Sequence, residues 1–388
     1  HVVHPPGHVD LPVHDFSTQP DPAAAATEFF RQQARTVFDL RRGPLMNFYL
    51  ARIAPEEHWL CRINHHIISD AWSWQVFFRE LAQVYGAKLH AAAPPVSDSA
   101  PLQYFDYAAW QRRVLDPNDP AYLEAVRWWA ELWQDRPQPV RLPFQRLWRR
   151  RQALASDGWV WWGLDAKVSG RLDEFGRSAG ATFYVVRLAA FIASLALESG
   201  ESDLVIGSYM TNRHRLETQS MFGFFGNMAA LRWRFDVTQT FSGWPTNVNR
   251  LVGDARARSF VPHEQLRSEL RARGLKPPKM RIIFSVADTV PPLKLGEAEL
   301  TWLDRRMEAM PWGFTLGFDP SDEAQRCRAT FDARWFDPHG VRQWLGRFAH
   351  WLDAVSREPD KPMSALIAES EFRPRLSFIR RLQRRLRI

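Results

Sequence analysis

The run from Phe183 to Leu197 most constrains what this chain can fold into, because it is apolar over fifteen residues with only Arg187 interrupting it. A bilayer span requires about twenty consecutive apolar residues, so the run is too short and too polar to cross a membrane. It reads instead as a helix over Thr182–Leu197 buried on all sides, which requires other elements to surround it. The flanking sequence supplies them. Val168 and Leu172 face inward from a helix over Ala166–Ser178, and Val341, Trp344, Leu345, Phe348 and Leu352 form one stripe over Pro338–Arg357. Thr246–Arg258 and His263–Arg271 are helical in pattern. Strands are expected at Trp159–Leu164, Leu204–Tyr209, Ala229–Phe235, Met280–Val286, Leu316–Phe318 and Arg328–Trp335.

The first half has the same mixed character. An extended, Pro- and His-rich start precedes a helix from Ala23 to Val37 that ends near Asp39. A hairpin follows, Leu45–Ala51 and His58–Ile63, turning at Pro55-Glu56-Glu57. A loop with His65, His66 and Asp70 then feeds an amphipathic helix over Ser73–Tyr85. After a linker at Ala91–Pro101 come helices over Gln103–Leu115 and Asp119–Gln134, and the Pro/Arg-rich stretch Arg136–Arg151 breaks the pattern. A chain of 388 residues exceeds a single small module. We therefore expect two lobes, residues 1–157 and 158–370, and a basic tail over 371–388.

Charge excludes less than it first suggests. The chain carries 51 Lys and Arg against 43 Asp and Glu, a net +8. Seven of those arginines lie in the last sixteen residues, which hold no acid, so residues 1–372 carry only 44 − 43 = +1. A nearly neutral body argues against a nucleic-acid surface, and the Arg-rich stretch Arg146–Arg151 reads as an exposed linker. The tail spaces Phe378, Ile379, Leu382 and Leu386 as one face of a basic amphipathic helix would, with an unstructured tail or the start of a linker as the equal alternative. Cys61 and Cys327 are far apart, with no Cys/His cluster, so neither a disulfide framework nor a zinc site is indicated. No signal-peptide pattern opens the chain, and a cytoplasmic setting is expected. The tryptophans, including Trp159, Trp161 and Trp162, read as packing rather than as a stacking platform.

The densest chemistry is in Asn64-His65-His66-Ile67-Ile68-Ser69-Asp70-Ala71-Trp72-Ser73-Trp74. Histidine can take up and return a proton near neutral pH, and a carboxylate four residues on can fix the loop. Adjacent histidines leave a strand end in opposite directions and have no third ligand nearby, so no metal is expected. The same geometry splits the pair into one imidazole facing solvent and one holding the loop. On these residues alone, two incidental histidines with Asp70 as a helix N-cap are the better explanation of the string.

The surrounding sequence tips that balance. HHIISDAWSW resembles the His-His-x-x-x-Asp-Gly motif of the condensation domains of nonribosomal peptide synthetases, in the form where Trp-Ser follows. Thr36-Val37-Phe38-Asp39-Leu40 and Gly43-Pro44-Leu45 resemble the family's approach to that motif. Gln103-Tyr104-Phe105-Asp106-Tyr107-Ala108-Ala109-Trp110-Gln111 is similar to its downstream Tyr/Asp/Trp motif. Ile206-Gly207, Asn212-Arg213, Phe222-Gly223-Phe224-Phe225-Gly226-Asn227 and Pro262-His263-Glu264-Gln265-Leu266 follow in the family's order. The likeness runs from about residue 36 to 366. The departures are the missing first motifs, Ala71 for glycine, Asn212 for glycine, Gly226 for a bulkier residue, and the run Met310–Phe314.

The resemblance implies an α/β (α+β sandwich) fold: two chloramphenicol-acetyltransferase-like lobes in a V-shaped pseudo-dimer, the N-terminal lobe incomplete, with a tunnel between them. It implies an acyltransferase that joins a carrier-bound acyl or peptidyl thioester to the amine of a carrier-bound aminoacyl thioester. His66 is then the centre, orienting the nucleophile or taking its proton, and His65 and Asp70 complete the motif. Asp70 is cast as structural, paired with Arg213 or with an arginine of a preceding segment, because a buried carboxylate requires a partner. Asn227, Trp72 and Ser73 are expected to be structural or to line the tunnel. The domain is expected to bind no cofactor of its own. Phosphopantetheine thioesters arrive on donor and acceptor carrier proteins, with adenylation domains as neighbours, and nucleic acid and membrane are not expected partners. Two alternatives stand beside this: a related acyltransferase that forms an ester or uses acyl-CoA, and a non-catalytic docking module of the same fold.

Overall fold

Asp21 starts the first helix by accepting a hydrogen bond from the Ala24 amide, with Pro22 in the first turn where a missing N–H costs nothing. This structure, a computed structural model, describes residues 7–93, 102–135, 140–142, 144–145, 157–287, 293–301, 303, 313–319 and 326–369. The stretch Arg146–Arg151, the first part of the Met310–Phe314 run and the tail over 371–388 lie outside the described residues.

The elements run in the order β1 (Val13–Asp15), α1 (Pro22–Gln33), β2 (Met46–Ala54), β3 (Glu57–Asn64), α2 (Ala71–Leu89) and α3 (Tyr104–Val114). Then come α4 (Pro120–Leu132), β4 (Asp157–Gly163), α5 (Ala166–Ser178), α6 (Phe183–Ser199), β5 (Asp203–Met210) and the short α7 (Leu216–Gln219). The remainder is β6 (Asn227–Arg234), α8 (Trp244–Ala257), α9 (His263–Ala272), β7 (Ile282–Val286), β8 (Leu293–Leu295), β9 (Ala298–Leu300), β10 (Phe314–Phe318), β11 (Arg326–Asp332), α10 (Pro338–Arg357) and α11 (Met363–Glu369).

The chain forms two compact units, residues 1–109 with 213–225, and residues 110–212 with 226–388. The expected lobe boundary near residue 157 coincides with the start of β4, whereas the units divide inside α3. The reason is packing: Tyr122, Val126 and Trp129 of α4, with Trp133, Leu142 and Phe144, belong to the core of the second unit.

In the first unit β2 and β3 pair antiparallel, Met46 opposite Asn64, and β1 adds in parallel to β2. The acidic turn of the hairpin falls at Pro55 and Glu56. Phe48 of β2 stacks on Phe77 of α2 at 5.5 Å between ring centroids. The helix expected to reach Val37 stops at Gln33, and Val37 is exposed. An apolar residue at the right phase cannot extend a helix when no partner covers it.

The second unit is a mixed six-stranded sheet in the order β4-β11-β10-β7-β5-β6, parallel at β10/β7 and β5/β7 and otherwise antiparallel. Helix α6 is buried along its length, as its composition requires; each Leu, Ile or Phe side chain removed from water contributes about 1.5–3 kcal/mol. Thr182 caps its start and Gly200, left-handed at φ 71°, ends it. Around it pack Trp344, Phe348, Trp351 and Leu352 of α10 and Val248 of α8. The indole N–H groups of Trp351 and Trp244 donate to the carbonyls of Ala190 and Ala189. Trp133 donates to the Ala230 carbonyl at 2.8 Å and so occupies part of the open edge of β6. Arg187, the one charge in the apolar run, is fully buried and pairs with Asp173 at 2.6 Å. Among the described residues no single helix is long and apolar enough to cross a membrane.

Candidate active site

The strand β3 ends at Asn64 and delivers the two histidines into a 3-10 turn, His66–Ile68, directly before α2. His65 is half-buried and caps that turn, its Nδ1 accepting from the Ile67 amide at 3.1 Å, while its own amide donates to Leu45 O at 2.9 Å. His66 is exposed. Its Nδ1 lies 2.8 Å from the carbonyl oxygen of Ser69. A carbonyl only accepts, so Nδ1 carries the proton and Nε2 presents a lone pair. The ring of Phe224 meets the imidazole edge-on at 5.1 Å and forms an apolar wall beside it.

Asp70 is turned away from this chemistry. It is 3% exposed, and as N-cap of α2 it completes a capping box with Ser73. Its Oδ1 accepts from the Ser73 amide at 2.9 Å and from Arg213 Nη2 at 2.8 Å, and its Oδ2 accepts from the Phe225 amide at 3.1 Å. Helix cap and buried ion pair are therefore one arrangement, and the arginine opposite Asp70 is Arg213. Arg213 also donates to the carbonyls of Thr218, Met221 (2.8 Å) and Gly223 (3.2 Å), and its guanidinium stacks over Phe225 at 4.0 Å. One side chain thus folds the whole 213–225 loop around itself.

Ser73, fully buried, holds the same loop. Its single hydroxyl proton lies between Asp70 Oδ1 (2.7 Å) and Gly223 O (2.6 Å), while its oxygen accepts from the Gly223 amide at 3.0 Å. Trp72 donates from Nε1 to the Gln219 carbonyl at 2.8 Å. Tyr104 closes the other side, its hydroxyl donating to Phe224 O at 2.7 Å. Burial, reinforced by the charge of Asp70, raises the Tyr104 phenol, and burial pushes Tyr107 up to about 12, so both stay protonated. Gly223 is required here, since a Cβ would lie 2.1 Å from the Tyr104 ring. Ser69, Asn64 and Gly223 were not singled out from the sequence, although all three lie within the quoted motifs. Their partners are fixed by the fold.

The departures noted in the sequence have local explanations. Ala71 is the first residue of α2, a conformation open to any residue, so glycine is not needed. Asn212 sits at φ 54°, where Asn is the most tolerant substitute for glycine, and its amide bonds Ser259 O at 2.9 Å. A Cβ at Gly226 would lie 1.7 Å from the Tyr209 hydroxyl, so that phenol occupies the volume a larger residue would take. Phe314 is fully buried in β10.

Asn227 is in the second unit and is fully engaged. Its amide donates to Ser259 O and Val261 O, both at 2.8 Å, and its Oδ1 accepts from the amides of Met228 and His263. Burial at the start of α9 pushes His263 down to about 4. A folded-state value below the unfolded one near 6.5 means that the unfolded chain takes up the proton first as pH falls. Stability from His263 is therefore full above pH 6.5 and is lost between 6.5 and 4. Urea denaturation at pH 7.5 and pH 5 should show a loss of roughly 2 kcal/mol at the lower pH that is absent in His263→Gln. An equal pH dependence in the variant would remove His263 as its source.

Among the described residues no group of three His, Cys, Asp or Glu is placed to hold a metal ion. A family model for the condensation domain matches residues 1–375. The chain belongs to the condensation-domain family. A linear gramicidin synthase of Brevibacillus parabrevis is 32% identical over 350 residues, covering 88% of this chain and 4% of that protein. Chondramide synthase cmdD of Chondromyces crocatus is 33% identical over 272 residues, 70% of this chain and 7% of that protein. The condensation domain thus spans less than a tenth of the length of these curated synthetases. In the solved complex of the X-domain and OxyB from teicoplanin biosynthesis, a chain 26% identical superposes with a TM-score of 0.75, covering 94% of this chain and 80% of that one. The fold is the chloramphenicol-acetyltransferase-like fold of condensation domains, whose general activity is amide-forming condensation in peptide synthetases.

Proposed function

We propose that this condensation domain transfers an acyl or peptidyl group from a donor carrier's phosphopantetheine thioester to the amine of an aminoacyl thioester on an acceptor carrier. The observation that carries this reading is the state of His66: Nδ1–H is engaged by Ser69 O, and the exposed ring offers Nε2 as a base. The amine nitrogen attacks the thioester carbonyl as Nε2 takes its proton. The C–S bond then breaks, and the proton leaves with the departing thiolate. Holding both arms at His66 makes the step effectively unimolecular, the largest share of the rate gain. His65 and Asp70 act by holding the loop, His65 through its cap on the turn and Asp70 through Arg213. The synthetases among its relatives support carrier and adenylation domains as neighbours, in the cytoplasm.

A second reading, a docking module without chemistry, draws on the likeness to the X-domain solved in complex with OxyB. A third keeps the chemistry but delivers the acyl group to an alcohol, or takes it from acyl-CoA. One experiment separates them. The full chain is mixed with an acyl-loaded donor carrier and an acceptor carrier bearing either an aminoacyl or a hydroxyacyl thioester, with acyl-CoA as an alternative donor, and the acceptor arm is weighed by mass spectrometry. We expect the acyl mass to appear on the amine-bearing arm from the carrier donor. Transfer only to the hydroxyl, or only from acyl-CoA, contradicts the amide reading, and binding of both carriers without transfer favours docking.

A further inference from the structure

Arg62 and Asn64 lie two residues apart on β3 and so share a face of the strand. Arg62 Nη1 donates to Asn64 Oδ1 at 2.8 Å, and Asn64 Nδ2 donates to Ser69 Oγ at 3.0 Å and to His65 O at 3.2 Å. With a cation on one side and a carbonyl on the other, the amide can take only this orientation. Trp74, one turn into α2, donates from Nε1 to the same Ser69 Oγ at 3.1 Å, and the Arg62 guanidinium stacks on the Trp74 ring at 3.6 Å. The contacts close into a ring that ties the end of β3 to the first turn of α2 across the turn bearing His66. Ser69 and Trp74 are buried within it.

We infer that Arg62, Asn64, Ser69 and Trp74 are positioning residues: by clamping the Ser69 hydroxyl they hold the Ser69 carbonyl against His66 Nδ1 and so fix Nε2 as the basic nitrogen. The inference rests on the reading of His66 as the acid/base group. The Ser69 side chain touches no reacting atom; its hydroxyl is the point where strand and helix meet, and its carbonyl sets the tautomer. Release of the hydroxyl frees the carbonyl to turn, after which the imidazole samples both tautomers and a range of ring orientations. Small displacements of a reacting group cost up to about a hundredfold in rate.

The test uses the full chain with Ser69→Ala, which removes the clamp's centre, and Trp74→Phe, which keeps an aromatic ring under Arg62 and removes the N–H together with part of the indole's buried volume. The tautomer of His66 is read from the nitrogen NMR signals of histidine-labelled protein, assigned by their loss in His66→Ala, and kcat and KM for acyl transfer are measured alongside. We expect protonation to shift from Nδ1 toward a mixture in both variants. We also expect kcat to fall about tenfold or more at unchanged KM in variants that stay folded at the assay temperature, with a lower melting temperature from the buried groups removed, and the double variant to lose less than the product of the two. An unchanged tautomer in Trp74→Phe overturns the inference, as does a shifted tautomer with kcat intact while His66→Ala is inactive. If His66→Ala keeps full transfer activity, the functional reading fails instead, and the tautomer signal alone decides whether the ring positions the imidazole.

Discussion

Arg213→Ala is expected to destabilise the first unit by ~3–5 kcal/mol, because it strands the Asp70 carboxylate in a site where that carboxylate is 3% exposed. The loss is larger than the ion pair alone would suggest. Arg213 also donates to the carbonyls of Thr218, Met221 and Gly223, so the substitution takes the Nη1 donor from two of these acceptors, leaves Gly223 with only the Ser73 hydroxyl, and releases the 213–225 loop. Lysine cannot replace it, since a single ammonium lacks the planar fork that reaches two carbonyls from Nη1 while Nη2 holds the carboxylate. Asp70→Ala should cost a similar amount, removing both the cap of α2 and the partner of Arg213. The double variant should cost less than the sum, as expected for two groups in direct contact. Urea denaturation of the four proteins checks this. Single-variant losses below about 1 kcal/mol, or strict additivity, would show that the pair does not organise the loop.

Local patterns made much of this architecture legible. The spacing of Val168 and Leu172 and the Trp344–Leu352 stripe each specify a helix and its inward face, and the apolar run of α6, interrupted only by Arg187, specifies a buried helix, without reference to anything distant. Strand order was not legible in the same way, because β11 pairs locally with β10 but its place beside β4 depends on a pairing across more than a hundred and fifty residues. The three-residue β1 has too few positions to show a period. At the site, the motif identified His65, His66 and Asp70 together, and Arg213 was one of two candidates for the carboxylate's partner. The sequence could not choose between them, since the hydrogen bond spans 143 positions. The roles of Trp72, Ser73 and Gly223 depend on the same return of the chain. A glycine whose only requirement is the face of a tyrosine 119 residues earlier carries no local signature.

The largest expected effect on activity is that of His66→Ala. Removing a positioned acid/base group lowers the rate by about 10²- to 10⁴-fold, leaving what proximity of the two arms provides. Stability should be almost untouched, within roughly 0.5 kcal/mol, because the imidazole is exposed and its one hydrogen bond closes a surface turn. This separates it from Arg213→Ala, which should lose activity and stability together.

The most direct test of the central claim is therefore a single-turnover comparison of wild type and His66→Ala, each with an acyl-loaded donor carrier and an aminoacyl-loaded acceptor carrier, reading the mass of the acceptor arm against time. We expect an amide-bearing arm to accumulate with the wild type and at least about a hundredfold more slowly with the variant, at equal melting temperatures. Equal rates in the two proteins, or no transfer by either while both carriers bind, would contradict the assignment of His66 as the centre of an amide-forming reaction.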